Sequence, residues 1–153
     1  MEYEQLKLSN QLCFPVYAAS RLITRGYQPY LDKLGITYPQ YLVLLVLWET
    51  DGLPVNDIAR RLILNTNTIT PLLKRMEELG IIQRERSADD ERKVMVHLTE
   101  KGWSMREEAA TIPVKLMEGL QSGDIALQDL LELRDKLNGL IAIILKNEVN
   151  SED

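Results

Sequence analysis

Between Asn65 and Leu98 the hydrophobic period changes once, from helical to strand-like, and this allows little except a helix followed directly by a hairpin. In NTNTITPLLKRMEELG, Ile69, Leu72, Leu73 and Met76 recur at spacings of three and four, giving one apolar face at the ~3.6-residue helical period. The opposite side carries Asn67, Pro71, Lys74 and Glu78, flanked by Thr68, Thr70 and Arg75. Two starts are open: Thr70 as cap with Pro71 in the first turn, or Asn65 as cap with Pro71 inside the helix. Gly80 suits the left-handed residue that ends a helix, with Ile81 packing back on Met76. Past it the period is two. Val94, Val96 and Leu98 alternate with Met95 and His97, Ile82 to Arg86 supply the partner strand, and Ser87 to Arg92 turn between them.

Short polar side chains and cations on the outer face are what a recognition helix presents to base edges and phosphates in a major groove. A hairpin tip reading SADDERK, with Arg84, Arg86, Arg92 and Lys93 around it, suits a wing that touches the DNA backbone or places an arginine in a minor groove. The alternative is a solvated hairpin whose charges neutralise one another. The candidate DNA contacts are Thr66, Asn67, Thr68, Thr70, Pro71, Lys74 and Arg75 on the helix and Arg84, Arg86, Asp90 and Arg92 on the wing. The net charge of −5 speaks against nucleic acid only until its distribution is considered. Pro54 to Met76 carries four cations against one acid, whereas Glu107 to Asp153 carries four against ten. Screening over a Debye length of ~8 Å lets an acidic remote half coexist with a basic reading edge.

At 153 residues and 45% hydrophobic content, without a Pro/Gly-rich linker, the chain is expected to form a single domain spanning 1–153. The expected class is mainly α with a small β-wing: a winged helix-turn-helix over about 37–100, a helical dimerisation lobe from about 1–36 and 101–147, and a frayed tail over 148–153. No apolar run is long enough for a membrane span and MEYEQLKLSN lacks the features of a signal peptide, so a cytoplasmic protein is expected. One cysteine cannot close an intramolecular disulfide, which agrees with a reducing compartment.

From Ser9 to about Leu34, Leu12, Val16, Ala19, Ile23 and Tyr27 step as a long helix, with a bend or a delayed start near Pro15. Thr37-x-x-Gln40 is a capping box, and Leu42 to Trp48 is apolar on every side, so its helix is expected at the centre. Pro54 fits a first helical position, and Val55, Ile58, Ala59 and Leu62 make a short helix that completes the helix-turn-helix. Thr99 should cap a helix running towards Gly119 with a kink at Pro113. Ser122-Gly123-Asp124 should turn into a last helix whose stripe is Leu127, Leu130, Leu131, Leu137, Ile141, Ile144 and Leu145. That stripe and the first helix are expected to form a homodimer interface, the alternative being burial within one subunit. The dimer should read a pseudo-palindromic site on double-stranded DNA, with half-sites ~10 bp apart.

Cys13 lies near a helix N-terminus. A free thiol with a pKa of ~8.5 is mostly protonated at neutral pH, so attack on a peroxide needs nearby donors or a helix terminus that favour the thiolate. A lone cysteine on an apolar face is more often just a small packing residue. The order of elements, with D-x-R at Asp90 to Arg92 and L-T-x-x-G at Leu98 to Gly102, resembles the MarR family of dimeric winged-helix repressors. N-Q-L-C-F at Asn10 to Phe14, Y-x-x-S-R at Tyr17 to Arg21, I-T-Y-P-Q-Y at Ile36 to Tyr41 and T-x-T-P-x-L-K-R-M-E at Thr68 to Glu77 look like the organic-hydroperoxide-responsive branch, single-cysteine type. The resemblance implies that Cys13 is oxidised by an organic hydroperoxide and DNA is then released, that Tyr27 and Tyr38 hydrogen-bond the cysteine, and that Arg92 is the wing-tip arginine. Pro15 departs from relatives that carry an ordinary apolar residue there, and the chain lacks the second cysteine of the two-cysteine members. Low-molecular-weight thiols are then the expected partners of the oxidised sulfur. The competing reading is a regulator that answers to a small aromatic ligand with Cys13 unused; a thiol peroxidase gains nothing from a winged helix. No enzyme activity, cofactor or metal is expected, His97 and Cys13 being the only soft ligands.

Overall fold

Helix α2, Tyr38–Glu49, is apolar all round, and a helix of that kind is stable only when surrounded. Val43, Leu44 and Leu47 are wholly buried, with Tyr41, Val46 and Trp48 nearly so, while Leu45 alone of this run is exposed. Each fully buried leucine is worth roughly 1.5–3 kcal/mol. The expected capping box is formed: the Thr37 side chain accepts from the Gln40 backbone, and the Thr37 N–H donates to Gln40 Oε1 at 2.8 Å.

The computed structural model describes residues 3–120 and 125–151. It divides into two compact units between Ile112 and Pro113. In the first, α2 packs against α1 (Cys13–Leu34), α3 (Val55–Leu62), α4 (Thr66–Glu78) and α5 (Glu100–Ala109). A three-stranded antiparallel sheet has the order β1 (Leu53–Pro54), β3 (Val94–Leu98), β2 (Ile82–Arg86), with Leu53 opposite Val96 and Arg84 also opposite Val96.

The first helix starts late, at Cys13 instead of Ser9, after two 3₁₀ turns at Glu4–Leu6 and Leu8–Asn10. Pro15 therefore sits in the first turn, where its missing N–H breaks no helical bond, and no bend is needed. The helix runs through Pro29 and stops at Gly35, whose φ of 67° is left-handed. Pro54 is the N-cap of α3, not its first residue, because it pairs with Met95 as the end of β1. The turn between α3 and α4 places Ile63 at φ 55°, a costly conformation for a β-branched side chain.

Asn65 settles the start of α4: its side chain accepts from the Thr68 N–H at 2.9 Å, so Pro71 lies inside the helix. After β3 the chain is capped by Thr99, but the expected kink at Pro113 is a full break. Helix α5 ends at Ala109, and α6 (Ile112–Leu120) begins one residue before the proline. The proline ring would collide with the carbonyl four residues back, and starting a new helix avoids this.

In the second unit, α7 spans Leu127–Ser151, so the segment expected to fray from residue 148 is helical as far as Ser151. The expected Ser122-Gly123-Asp124 turn lies outside the described residues. Along α7 Leu133, Ile141, Ile143, Ile144, Leu145 and Val149 are exposed. Among the described residues no helix is long and apolar enough to cross a membrane.

Candidate nucleic-acid interface and thiol site

The inner face of α4 follows its period: Ile69, Leu73 and Met76 are wholly buried and Leu72 partly so. That face fixes which residues point out. Thr66, Asn67, Thr68, Thr70, Pro71, Lys74 and Arg75 are all exposed. Several are already oriented: Thr68 Oγ1 donates to Asn65 Oδ1 at 3.0 Å, Thr70 Oγ1 to the Thr66 carbonyl at 2.7 Å, and Arg75 to Glu78 at 3.4 Å. Pro71 has no N–H to return to the Asn67 carbonyl, so this outward edge carries a backbone acceptor without its helical donor.

The wing divides the expected residues into two groups. Arg86 and Arg92 are exposed, the Arg92 side chain at 95%. Asp90 organises the turn instead of projecting from it: Oδ1 accepts from the Arg92 N–H at 3.1 Å, its carbonyl accepts from the Lys93 N–H at 2.9 Å, and it pairs with the Arg92 guanidinium at 3.5 Å. Arg84 faces inward to the recognition helix. Its Nη2 and Nε donate to Glu77 Oε2 at 2.7 and 3.1 Å, while its backbone N–H donates to Glu77 Oε1 at 3.0 Å. In the sequence Glu77 only closes a motif and has no role assigned to it; seven positions from Arg84 and across a helix end, the pair follows no local period.

The Arg84 guanidinium hydrogen-bonded to Glu77 holds that carboxyl below its usual range, burial opposing and the Arg84 N–H adding. A carboxylate with a depressed folded pKa stabilises the fold fully above its unfolded value of ~4.3, and the contribution disappears as pH falls through the folded value. Glu77 is 38% exposed, so solvent keeps the effect modest. Below pH ~4.3 the urea midpoint of wild type is expected to fall faster with acid than that of Glu77→Gln. Parallel curves would exclude the pair as a contributor. At the tip, Arg92→Ala should weaken DNA binding and lower the salt slope by about one unit, the signature of one lost phosphate contact. Unchanged affinity and slope would remove the wing tip from the interface.

Gly102 sits where α5 meets the end of α4. Thr99 Oγ1 accepts from the Gly102 N–H at 3.1 Å and lies 2.7 and 2.9 Å from the carbonyls of Gly80 and Ile81, which share its one proton. Lys101 Nζ donates to the Leu79 carbonyl at 2.8 Å. The last carbonyls of the recognition helix itself, those of Arg75, Met76 and Glu77, accept from the N–H groups of Leu79, Ile81 and Gly80, and Thr99 and Lys101 hold the turn that follows.

Cys13 is the first residue of α1 and is exposed. Leu12 before it offers no side-chain cap, and Pro15 brings no N–H, so the N–H groups of Cys13 and Phe14 face the site without a capping side chain. Leu12, Phe14, Val16 and Tyr17 are exposed around it. Within one protomer Tyr27 and Tyr38 are grouped away from Cys13. Tyr27 and Tyr38 pack together with ring centroids 4.9 Å apart, and Tyr41 joins them at 5.7 and 6.3 Å. Burial, with the neighbouring Tyr38 and Tyr41, pushes the Tyr27 phenol up to about 12. Burial also raises Tyr38 and Tyr41. All three remain protonated donors at neutral pH. Tyr27 is fourteen residues from Cys13 along one uninterrupted helix, about 21 Å at ~1.5 Å per residue.

A helix-turn-helix with its second helix exposed on one face and a hairpin beside it is a winged-helix DNA-binding unit. The profile of the SarA/Rot transcriptional regulators matches residues 25–109, more than half the chain. The chain belongs to this family of MarR-type winged-helix regulators and is not an enzyme. It is 49% identical over 142 residues, covering 92% of this chain and 93% of the relative, to the organic hydroperoxide resistance transcriptional regulator of Bacillus subtilis. Among solved structures it is similar to reduced AbfR bound to DNA, with 40% identity, 91% and 98% of the two chains covered and a TM-score of 0.71. A structure of AbfR of Staphylococcus epidermidis gives 34% identity, 94% and 95% coverage and a TM-score of 0.73.

Proposed function

We propose that this protein is a dimeric repressor that senses organic hydroperoxides by oxidation of Cys13 and then releases its operator. The observation that carries the reading is the placement of the sole cysteine: exposed, in an uncapped first helical turn, among exposed apolar side chains. Such surroundings favour a peroxide with an apolar tail over hydrogen peroxide. The resemblance to a hydroperoxide resistance regulator points the same way.

In the first step the thiolate attacks the terminal peroxide oxygen. An S–O bond forms, the O–O bond breaks, sulfur loses two electrons, and the other oxygen leaves with a proton as the alcohol. The sulfenic acid then condenses with a low-molecular-weight thiol, forming a mixed disulfide and releasing water, or with a backbone nitrogen; further peroxide carries it to sulfinic and sulfonic acids. The DNA contacts are Thr66, Asn67, Thr68, Thr70, Pro71, Lys74 and Arg75 from α4 and Arg86 and Arg92 from the wing, with Arg84 and Asp90 setting the wing's position and turn. The apolar faces that α1 and α7 leave exposed supply the dimer interface. The test is a DNA-shift assay on reduced protein with and without cumene hydroperoxide. Release by an aromatic acid but not by peroxide would establish the competing ligand-binding reading.

The length of α1 supports activation in trans: Tyr27 and Tyr38 of one protomer donate to the Cys13 thiolate of its partner. In a mixed dimer, one subunit carries Cys13→Ser and the other Tyr27→Phe with Tyr38→Phe. The remaining cysteine faces intact tyrosines, so its peroxide rate should match wild type. Slowing to the rate of the homodimer with both Tyr→Phe changes would show activation in cis.

A further inference from the structure

We infer that Trp48 is the positioning residue that couples the tyrosine cluster to the end of the recognition helix. The inference rests on the proposed sensing by Cys13 with Tyr27 and Tyr38. Four aromatic rings form a continuous packed series: Tyr27 against Tyr38, both against Tyr41, and Tyr41 edge-on to Trp48 at 6.4 Å and 70°. Trp48 then makes a long-range bond. Its indole N–H, buried, donates at 3.0 Å to the carbonyl of Gly102, fifty-four residues away.

Gly102 is where a displacement cannot be absorbed. A Cβ built there would lie 2.4 Å from the Ile81 carbonyl oxygen, so the backbone of α5 is already in close contact with the turn that ends α4. Its N–H is held by Thr99, whose one hydroxyl proton is shared between the carbonyls of Gly80 and Ile81. Packed interfaces of this kind respond to a shift by changing arrangement, not by yielding a little. When oxidation takes the thiolate acceptor away from the phenols, the rings repack, the Trp48 indole moves, and the Gly102 carbonyl carries the movement into the cap of α4. The hydroxyls of Tyr27 and Tyr38 sense the sulfur; Trp48 reports to the helix.

The experiment compares wild type with Trp48→Phe, which keeps an aromatic ring and removes the N–H. Cys13 oxidation by cumene hydroperoxide is followed by mass, and DNA affinity is measured for the reduced and oxidised forms. The variant should oxidise at the wild-type rate and bind DNA in the reduced form within about threefold. Its ratio of oxidised to reduced Kd should fall at least about fivefold, the lower end of typical allosteric coupling. A ratio equal to wild type overturns the inference and leaves the sensing intact. Wild-type protein that holds DNA equally well with Cys13 fully oxidised overturns the sensing and the inference with it. A second measurement leaves Trp48 in place. The chain has two tryptophans, so Trp103→Phe makes Trp48 the sole emitter. Its fluorescence should shift to the red when Cys13 is oxidised, and should not do so in Trp103→Phe with Cys13→Ser. An unchanged spectrum on oxidation overturns the inference, and this result decides alone should Trp48→Phe not fold.

Discussion

Cys13→Ser is expected to keep DNA affinity within a few-fold of wild type and to abolish release by organic hydroperoxide. Within the protomer the side chain is exposed, so the exchange of sulfur for oxygen should change the protomer's stability by no more than about 0.5 kcal/mol. A serine hydroxyl stays protonated near neutral pH and is not oxidised by peroxide, so the first covalent step has no nucleophile. The two halves of the prediction are read separately, by titration of operator DNA with reduced protein and by the same titration after cumene hydroperoxide. Release of the serine variant would move the sensor to another residue. Loss of affinity before peroxide is added would make Cys13 a structural residue.

A larger loss of stability is expected at a position outside the proposed DNA contacts. Gly102→Ala places a methyl group 2.4 Å from the Ile81 carbonyl oxygen and 3.0 Å from Leu98 Cδ2, and the nearer of these atoms is backbone. Helix α5 must move away from the end of α4, disturbing the Trp48 bond and the Thr99 cap together. Overpacking of this severity costs about 3 kcal/mol, and for a chain of this size that is a fall in melting temperature of roughly 6–12 °C. Thermal unfolding by circular dichroism measures it. A variant that melts with wild type would mean that α5 has slack the structure does not show. The glycine of L-T-x-x-G is thus a packing requirement, and the threonine three residues earlier both caps α5 and holds the turn that follows α4.

The parts of the fold legible in the sequence are those written in local periods. Ile69, Leu73 and Met76 mark the inner face of α4 because burial repeats with the helix, and Val94 to Leu98 marks β3 because burial alternates. Gly35 and Gly80 mark helix ends because both take positive φ. Leu53–Pro54 was missed as a strand because two residues carry no period, and only pairing with Val96 and Met95 reveals it. Pro113 signals an interruption without saying whether the helix bends or starts again. Among the site residues, the exposed set on α4 follows from the buried set. The inward turn of Arg84 and the Trp48 bond to Gly102 do not, since each joins residues that no local rule links.

The Glu77–Arg84 bond has a consequence for how the protein leaves DNA. Two contact surfaces joined loosely would engage and disengage one after the other, each seeing the other only as a raised local concentration. Joined by a forked guanidinium–carboxylate bond and a backbone N–H, α4 and the wing form one reading head with a fixed angle between its two parts. On the proposed contact set, a small tilt at the end of α4 would draw the helix and wing contacts out of register together. In the proposed mechanism an oxidised protein therefore lets go of both surfaces in one step instead of contact by contact.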